Sequence, residues 1–113
     1  MEIIRSRQNT KIKQIAKLVT EAKARRQAGL TVIDGVSFVR DYIAKFGQPE
    51  MLLIDETKQQ RAQAVSELAS EYILVSPEVM KLISPVKTNA GVLAVVKIPT
   101  MSQFHATEQS VIL

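Results

Sequence analysis

Six residues near the end of the chain, Gly91-Val92-Leu93-Ala94-Val95-Val96, constrain the fold more than any other stretch. The run opens on glycine and shows no polar-apolar alternation, so it predicts a strand with both faces covered. Such a strand lies in the middle of a sheet, with packed layers on either side. At 113 residues and 46% apolar composition there is material for one domain with one real core. The absence of cysteine excludes disulfide scaffolds and structural cysteine-zinc sites. The longest apolar stretch, Val92 to Val96, is far below the roughly 18 residues of a membrane span. A soluble cytoplasmic protein without a membrane partner is the expectation.

Around that strand, helices alternate with short apolar segments. Asn9 as an N-cap, Ile12, Ile15, Ala16, Val19 and Ala22 at helical spacing, and Gly29 as a left-handed stop predict an amphipathic helix over 10–28. Leu30 to Asp34 reads as a strand closing on Gly35. Val36 to Phe46 reads as a helix ending at Gly47, with Asp41 and Lys45 paired on its outer face. A strand over Met51–Asp55, a helix from Lys58 to Ser70 and a strand from Tyr72 to Val75 follow. Ser76 then caps a short helix with Pro77 at its first position. The pattern predicts an α/β protein, a three-layer α/β/α sandwich with a four-stranded mixed sheet. Residues 1–98 form its domain and 99–109, aperiodic and polar, a linker. Ser110 to Leu113 reads as the start of a strand belonging to something longer, or as an edge strand docked on this same domain.

Charge divides the chain at Gly29. Residues 1–29 carry eight basic side chains against Glu2 and Glu21, whereas residues 30–113 carry seven basic against nine acidic. This asymmetry is the footprint of a polyanion-binding surface, although a solvated helix face also produces it. On the predicted helix Lys13, Lys17 and Arg25 point outward, Lys11 and Lys23 flank the apolar stripe, and Arg26 emerges at the last turn or meets a carboxylate. Catalysis finds little support. The one histidine, His105, lies in the linker, no metal-ligand spacing occurs, and no glycine pair makes a phosphate loop. The five aromatics are expected mostly on inward faces or in a strand, which argues against base stacking. Two loops suit recognition of phosphate and RNA shape. Asp34-Gly35-Val36-Ser37 offers free amides near Arg40, and Lys87-Thr88-Asn89-Ala90-Gly91 offers a cation and short polar side chains, although ordinary turn chemistry explains both.

The ordered string Arg5-Ser6-Arg7-Gln8-Asn9, Lys13, Lys23-Ala24-Arg25-Arg26, Gly29 to Gly35, Val75 to Val79 and Gly91 to Val96 resembles the N-terminal substrate-binding domain of SpoU-class (TrmH-like) RNA 2′-O-ribose methyltransferases. The likeness spans residues 5–98. Thr10, Asp34 and Asn89-Ala90 depart from that pattern, where the family usually has proline, glutamate and Pro-Gln. The resemblance implies a small α/β/α sandwich shared with a ribosomal protein and with kink-turn-binding proteins. It further implies a SPOUT catalytic domain after the linker, beginning at about residue 110, which binds S-adenosylmethionine and dimerises. This chain itself is expected to hold no cofactor, metal or catalytic residue.

The resulting expectation is an RNA-recognition domain, with rRNA favoured over tRNA. Its contacts would come from Arg5, Arg7, Lys13, Lys17, Lys23, Arg25, Arg26, Gly35, Ser37, Arg40, Lys87, Thr88 and Asn89. A stand-alone RNA-binding or ribosome-associated module of the same fold is the alternative. A basic helix docked on an acidic protein is a third reading.

Overall fold

The computed structural model describes residues 3–98, so the predicted linker, the segment 110–113 and His105 lie outside the described residues. Five strands form one sheet, and the apolar run Val92 to Val96 lies inside it as expected. The strands are β1 (Ile3–Ile4), β2 (Leu30–Asp34), β3 (Met51–Asp55), β4 (Ile73–Val75) and β5 (Val92–Lys97), in the spatial order β1-β4-β3-β5-β2. β1, β4 and β3 run parallel, while β5 is antiparallel to both its neighbours. The expected count of four strands is one short. β1 has only two residues, too few to reveal a period, and it is recognisable only through its pairing with Leu74 and Val75.

The helices are α1 (Thr10–Thr20), α2 (Ala22–Ala28), α3 (Val36–Phe46), α4 (Gln63–Ser66) and α5 (Pro77–Ile83). They cover both faces and make two cores. Ile12, Ile15 and Leu18 of α1 and Val79, Met80 and Ile83 of α5 pack on Leu53, Leu93 and Val95. Val39 and Ile43 of α3, with Ala62 and Val65, pack on Leu52, Ile54, Val92, Ala94 and Val96. Successive residues of β3 and β5 therefore feed opposite cores, which is why neither strand alternates with polar residues.

Two helices depart from their sequence readings. The single helix over 10–28 is broken at Glu21, whose backbone is extended at φ −126° and ψ 113°. The Thr20 hydroxyl donates to the Ala16 carbonyl at 3.0 Å, a local bond that competes with the helical ladder. The helix expected from Lys58 to Ser70 is a 3₁₀ turn over Glu56–Lys58, further turns and the short α4. The carboxylate of Asp55 accepts from both the amide and the hydroxyl of Thr57, which starts the segment as a tight turn. Backbone bonds beyond it mix three- and four-residue spacing, as at Val65 and Ser66, both donating to the Ala62 carbonyl. Ala62 and Val65 are still fully buried, so an inward face persists without a continuous helix.

Local terminators behave as their chemistry requires. The Asn9 side chain accepts from the amides of Lys11 and Ile12, and Ser76 accepts from Val79 with Pro77 in the first turn. Gly29 ends α2 at φ 69°, a conformation costly to any residue bearing a Cβ. The pair predicted between Asp41 and Lys45 is replaced. Asp41 lies 3.7 Å from Arg40, and the Lys45 ammonium sits over the Phe46 ring.

Candidate nucleic-acid interface

The topology sends the C-terminal ends of β1, β2, β3 and β4 and the start of β5 to one end of the sheet. Both loops singled out in the sequence lie there, and side chains fasten them together. The Ser84 hydroxyl donates to the Asp34 carboxylate at 2.9 Å, and Gly35 donates its amide to the Val92 carbonyl at 3.0 Å. Burial pushes the Asp34 carboxyl above its usual value, against the opposing pull of the Ser84 hydroxyl, the Ala90 amide and the Lys58 ammonium. Lys58 reaches across to donate to the Asn89 carbonyl at 3.2 Å, and the Asn89 side chain accepts from Gly91 at 2.9 Å. Gly91 is the keystone of this junction. At φ 84°, a Cβ there would lie 2.6 Å from Lys58 Cδ and 3.2 Å from Asp55 Cβ.

Beside the junction runs a groove walled by Lys58, Lys81, Lys87, Thr88 and Asn89, with the carboxylates of Asp55 and Glu78 also on its lining. Three ammonium groups against two carboxylates, with hydroxyl and amide groups between them, suit a phosphodiester backbone better than a neutral ligand. Arg5 belongs to the same end of the sheet. Its guanidinium makes a two-pronged contact with Glu56 at 2.6 and 3.1 Å, while remaining mostly exposed. Gly35 opens α3 without any side-chain cap, leaving the first-turn amides of Val36, Ser37 and Phe38 to solvent or a ligand.

Parts of the basic helices lie at the other end of the sheet. Lys11, at the start of α1, lines a second groove with Gln48, Glu50, Glu71 and Tyr72 at the opposite end of the sheet. The end of α2 is tied to that end as well, through the Gly29 carbonyl and the Ile98 amide. Lys13, Lys17, Lys23 and Arg26 are exposed along α1 and α2. Thus the structure brings Gly35, Ser37, Lys87, Thr88, Asn89 and Arg5 to one end, with Lys11 and the end of α2 at the other. Arg7 is exposed in the turn between β1 and α1, and Arg40 is exposed on α3 beside Asp41.

Arg25 departs from its expected outward place. Its guanidinium donates to the carbonyls of Leu18 at 2.7 Å and Val19 at 3.3 Å and is partly buried, so it caps the end of α1. Asn89 is likewise half-buried and committed to shaping its turn. The expectation about aromatics holds for Tyr42 and Tyr72, which are partly buried against the core, and fails for two others. Phe38 is 72% exposed and Phe46 61%, both on α3. Sequence reasoning misses Lys58 and Lys81 because they fall in the acidic part of the chain, and only the fold joins them to Lys87. The uncapped Gly35-Val36-Ser37 start is the clearest sequence signal for this end of the sheet.

Among the described residues no cluster of histidine and carboxylate side chains could hold a metal, and no helix is long and apolar enough to cross a membrane. Residues 9–94 match the family of MRM3-like substrate binding domains. A solved RNA 2′-O ribose methyltransferase aligns at 28% identity and TM-score 0.72, covering 88% of this chain and 39% of its own. An rRNA methyltransferase from Sinorhizobium meliloti shares the fold at 17% identity and TM-score 0.67, over 87% of this chain and 37% of that one. So does the AdoMet-bound SpoU methyltransferase AviRb from Streptomyces viridochromogenes, at 22% identity and TM-score 0.65, over 85% and 36%. This chain spans about two-fifths of the length of these structures. Comparison with curated protein sequences gives no match. The family match covers most of the chain and agrees with the fold: the chain belongs to the MRM3-like substrate binding domains.

Proposed function

We propose that this domain holds ribosomal RNA so that one ribose 2′-hydroxyl is presented to a catalytic domain carried by the same parent protein. The observation that carries the reading is the fastening of the 34–37 and 84–91 loops into one junction beside a groove with three lysines. Rigid loops with polar and cationic groups recognise RNA by backbone and shape. α1 and α2 add a second basic surface, which attracts phosphate without reading sequence. The parent methylates RNA with S-adenosylmethionine, whose methyl group passes to the ribose oxygen in the catalytic domain. It acts in the cytoplasm as a homodimer assembled through that domain. The Sinorhizobium meliloti relative is an rRNA methyltransferase, which supports rRNA over tRNA.

Fluorescence anisotropy of the 113-residue chain with rRNA fragments and with tRNA tests the recognition half. Tighter binding to one rRNA fragment than to tRNA is expected. Equal affinities would remove the rRNA assignment, and no binding to either would remove the RNA assignment. Titration with S-adenosylmethionine should give no heat with this chain, and the full-length parent should bind the cofactor and methylate RNA.

A further inference from the structure

We infer that Phe38 is a stacking platform for an unpaired base, and that the RNA held at the loop junction is therefore looped or single-stranded at that point. The inference rests on the RNA reading above and adds to it the class of RNA. A single exposed aromatic residue is ordinary on a protein surface, so exposure alone decides nothing. Its surroundings do. Phe38 sits in the first turn of α3, and its ring edge lies 3.7 Å from the position a Cβ on Gly35 would take. The ring therefore stands against the glycine that joins β2 to α3, next to Asp34, which Ser84 fastens to the second loop.

Phe46, on the same helix, is placed differently. It stacks against Tyr42, with ring centroids 5.1 Å apart, and has the Lys45 ammonium over it at 5.7 Å. Among the described residues Phe38 has no aromatic or cationic partner for its ring. Val86, 47% exposed, stands two residues beyond Ser84 and adds a second apolar surface to the same junction. The uncapped amides of α3 belong to the same turn as the ring, and the exposed Lys87 follows Val86 in the loop that Ser84 holds to Asp34. An open ring beside peptide donors, with a cation in the loop tied to Asp34, matches a nucleotide, whose base stacks while its phosphate takes the charge.

The chain contains no tryptophan, so Phe38→Trp installs a sole reporter. The probes are an RNA hairpin with an unpaired loop and a fully paired duplex of equal length. Wild type should prefer the hairpin. Phe38→Ala should weaken hairpin binding about tenfold and leave duplex binding within about twofold, and Phe38→Trp should restore the preference. Hairpin RNA should quench the fluorescence of the introduced indole, and duplex should not. Equal hairpin affinity for wild type and Phe38→Ala would overturn the inference while leaving the RNA reading intact. Failure of wild type to bind either RNA would overturn the RNA reading itself. Self-association of wild type that Phe38→Ala abolishes, with RNA affinity unchanged, would identify the ring as a contact between copies instead.

Discussion

The loop junction and the N-terminal helices carry positive charge in different ways. At the junction, two basic side chains are bound into structure beside the exposed Lys81 and Lys87: Lys58 holds Asn89, Arg5 holds Glu56, and Gly91 lets the turn close over Lys58 and Asp55. Along α1 and α2, Lys13, Lys17, Lys23 and Arg26 project from helix surfaces into solvent. The first arrangement fixes positions and the second supplies field. A long flexible ammonium can follow any phosphate, whereas a fastened loop accepts only backbones of the right shape. Counting charge along the sequence finds the second kind and overlooks the first.

The largest effect should come from the junction. Gly91→Ala forces a Cβ into Lys58 and Asp55 at a positive φ and should destabilise the fold by about 2–4 kcal/mol in denaturant titration. A loss below about 1 kcal/mol would mean that the junction is looser than its geometry. Next, Lys13→Ala, Lys17→Ala and Lys23→Ala together should weaken binding of every RNA by a similar factor. They should also lower the salt-dependence slope by about two, at roughly 0.7 counterions per phosphate contact. Thr88→Ala with Lys87→Ala should instead alter the ranking of RNAs. If the helix variants change the ranking and the loop variants do not, the division between the two regions is reversed.

Arg25→Ala tests the smaller distinction inside the basic segment. It should cost about 1 kcal/mol of stability, through the uncapped carbonyls of Leu18 and Val19, and leave the RNA salt slope unchanged. A fall in slope without loss of stability would return Arg25 to the RNA surface. The smallest effect concerns Asp34. Its carboxyl is raised in the folded state, so the native protein holds the proton at pH values where the unfolded chain has lost it. Stability should fall as pH rises from about 3.8 through the folded value, and the resulting deficit should persist above it. Asp34→Asn should remove that slope, and an NMR titration of the carboxyl should read above 3.8.

The sequence discloses whatever neighbouring residues decide among themselves. Asn9, Ser76-Pro77 and Gly29 bound their helices through contacts a few residues long, and all three are legible before any fold is known. Val92 to Val96 announces two covered faces because adjacent residues must enter different cores. The break at Glu21 is hidden, since the Arg25 side chain that serves the freed carbonyls reaches back across it. The candidate site is half legible. Both loops stand out by glycine and polar residues, but the Ser84–Asp34 bond joins positions fifty apart, and Lys58 and Lys81 enter only when the sheet assembles.

The antiparallel insertion of β5 also governs the order in which a nascent chain can fold. Among the described residues β2 pairs with β5 alone, Leu30 with Lys97 and Asp34 with Leu93, and β3 borders β5 on its other side. During synthesis β1, β3 and β4 can come together as a parallel group, while β2 has an unsatisfied edge until residues 92–97 have left the ribosome. Closure depends on these late, long-range pairings, which are slow to form because the intervening chain must first be confined. For that interval the halves of both cores are open to water, and a chaperone binding exposed apolar strands would have its opportunity then.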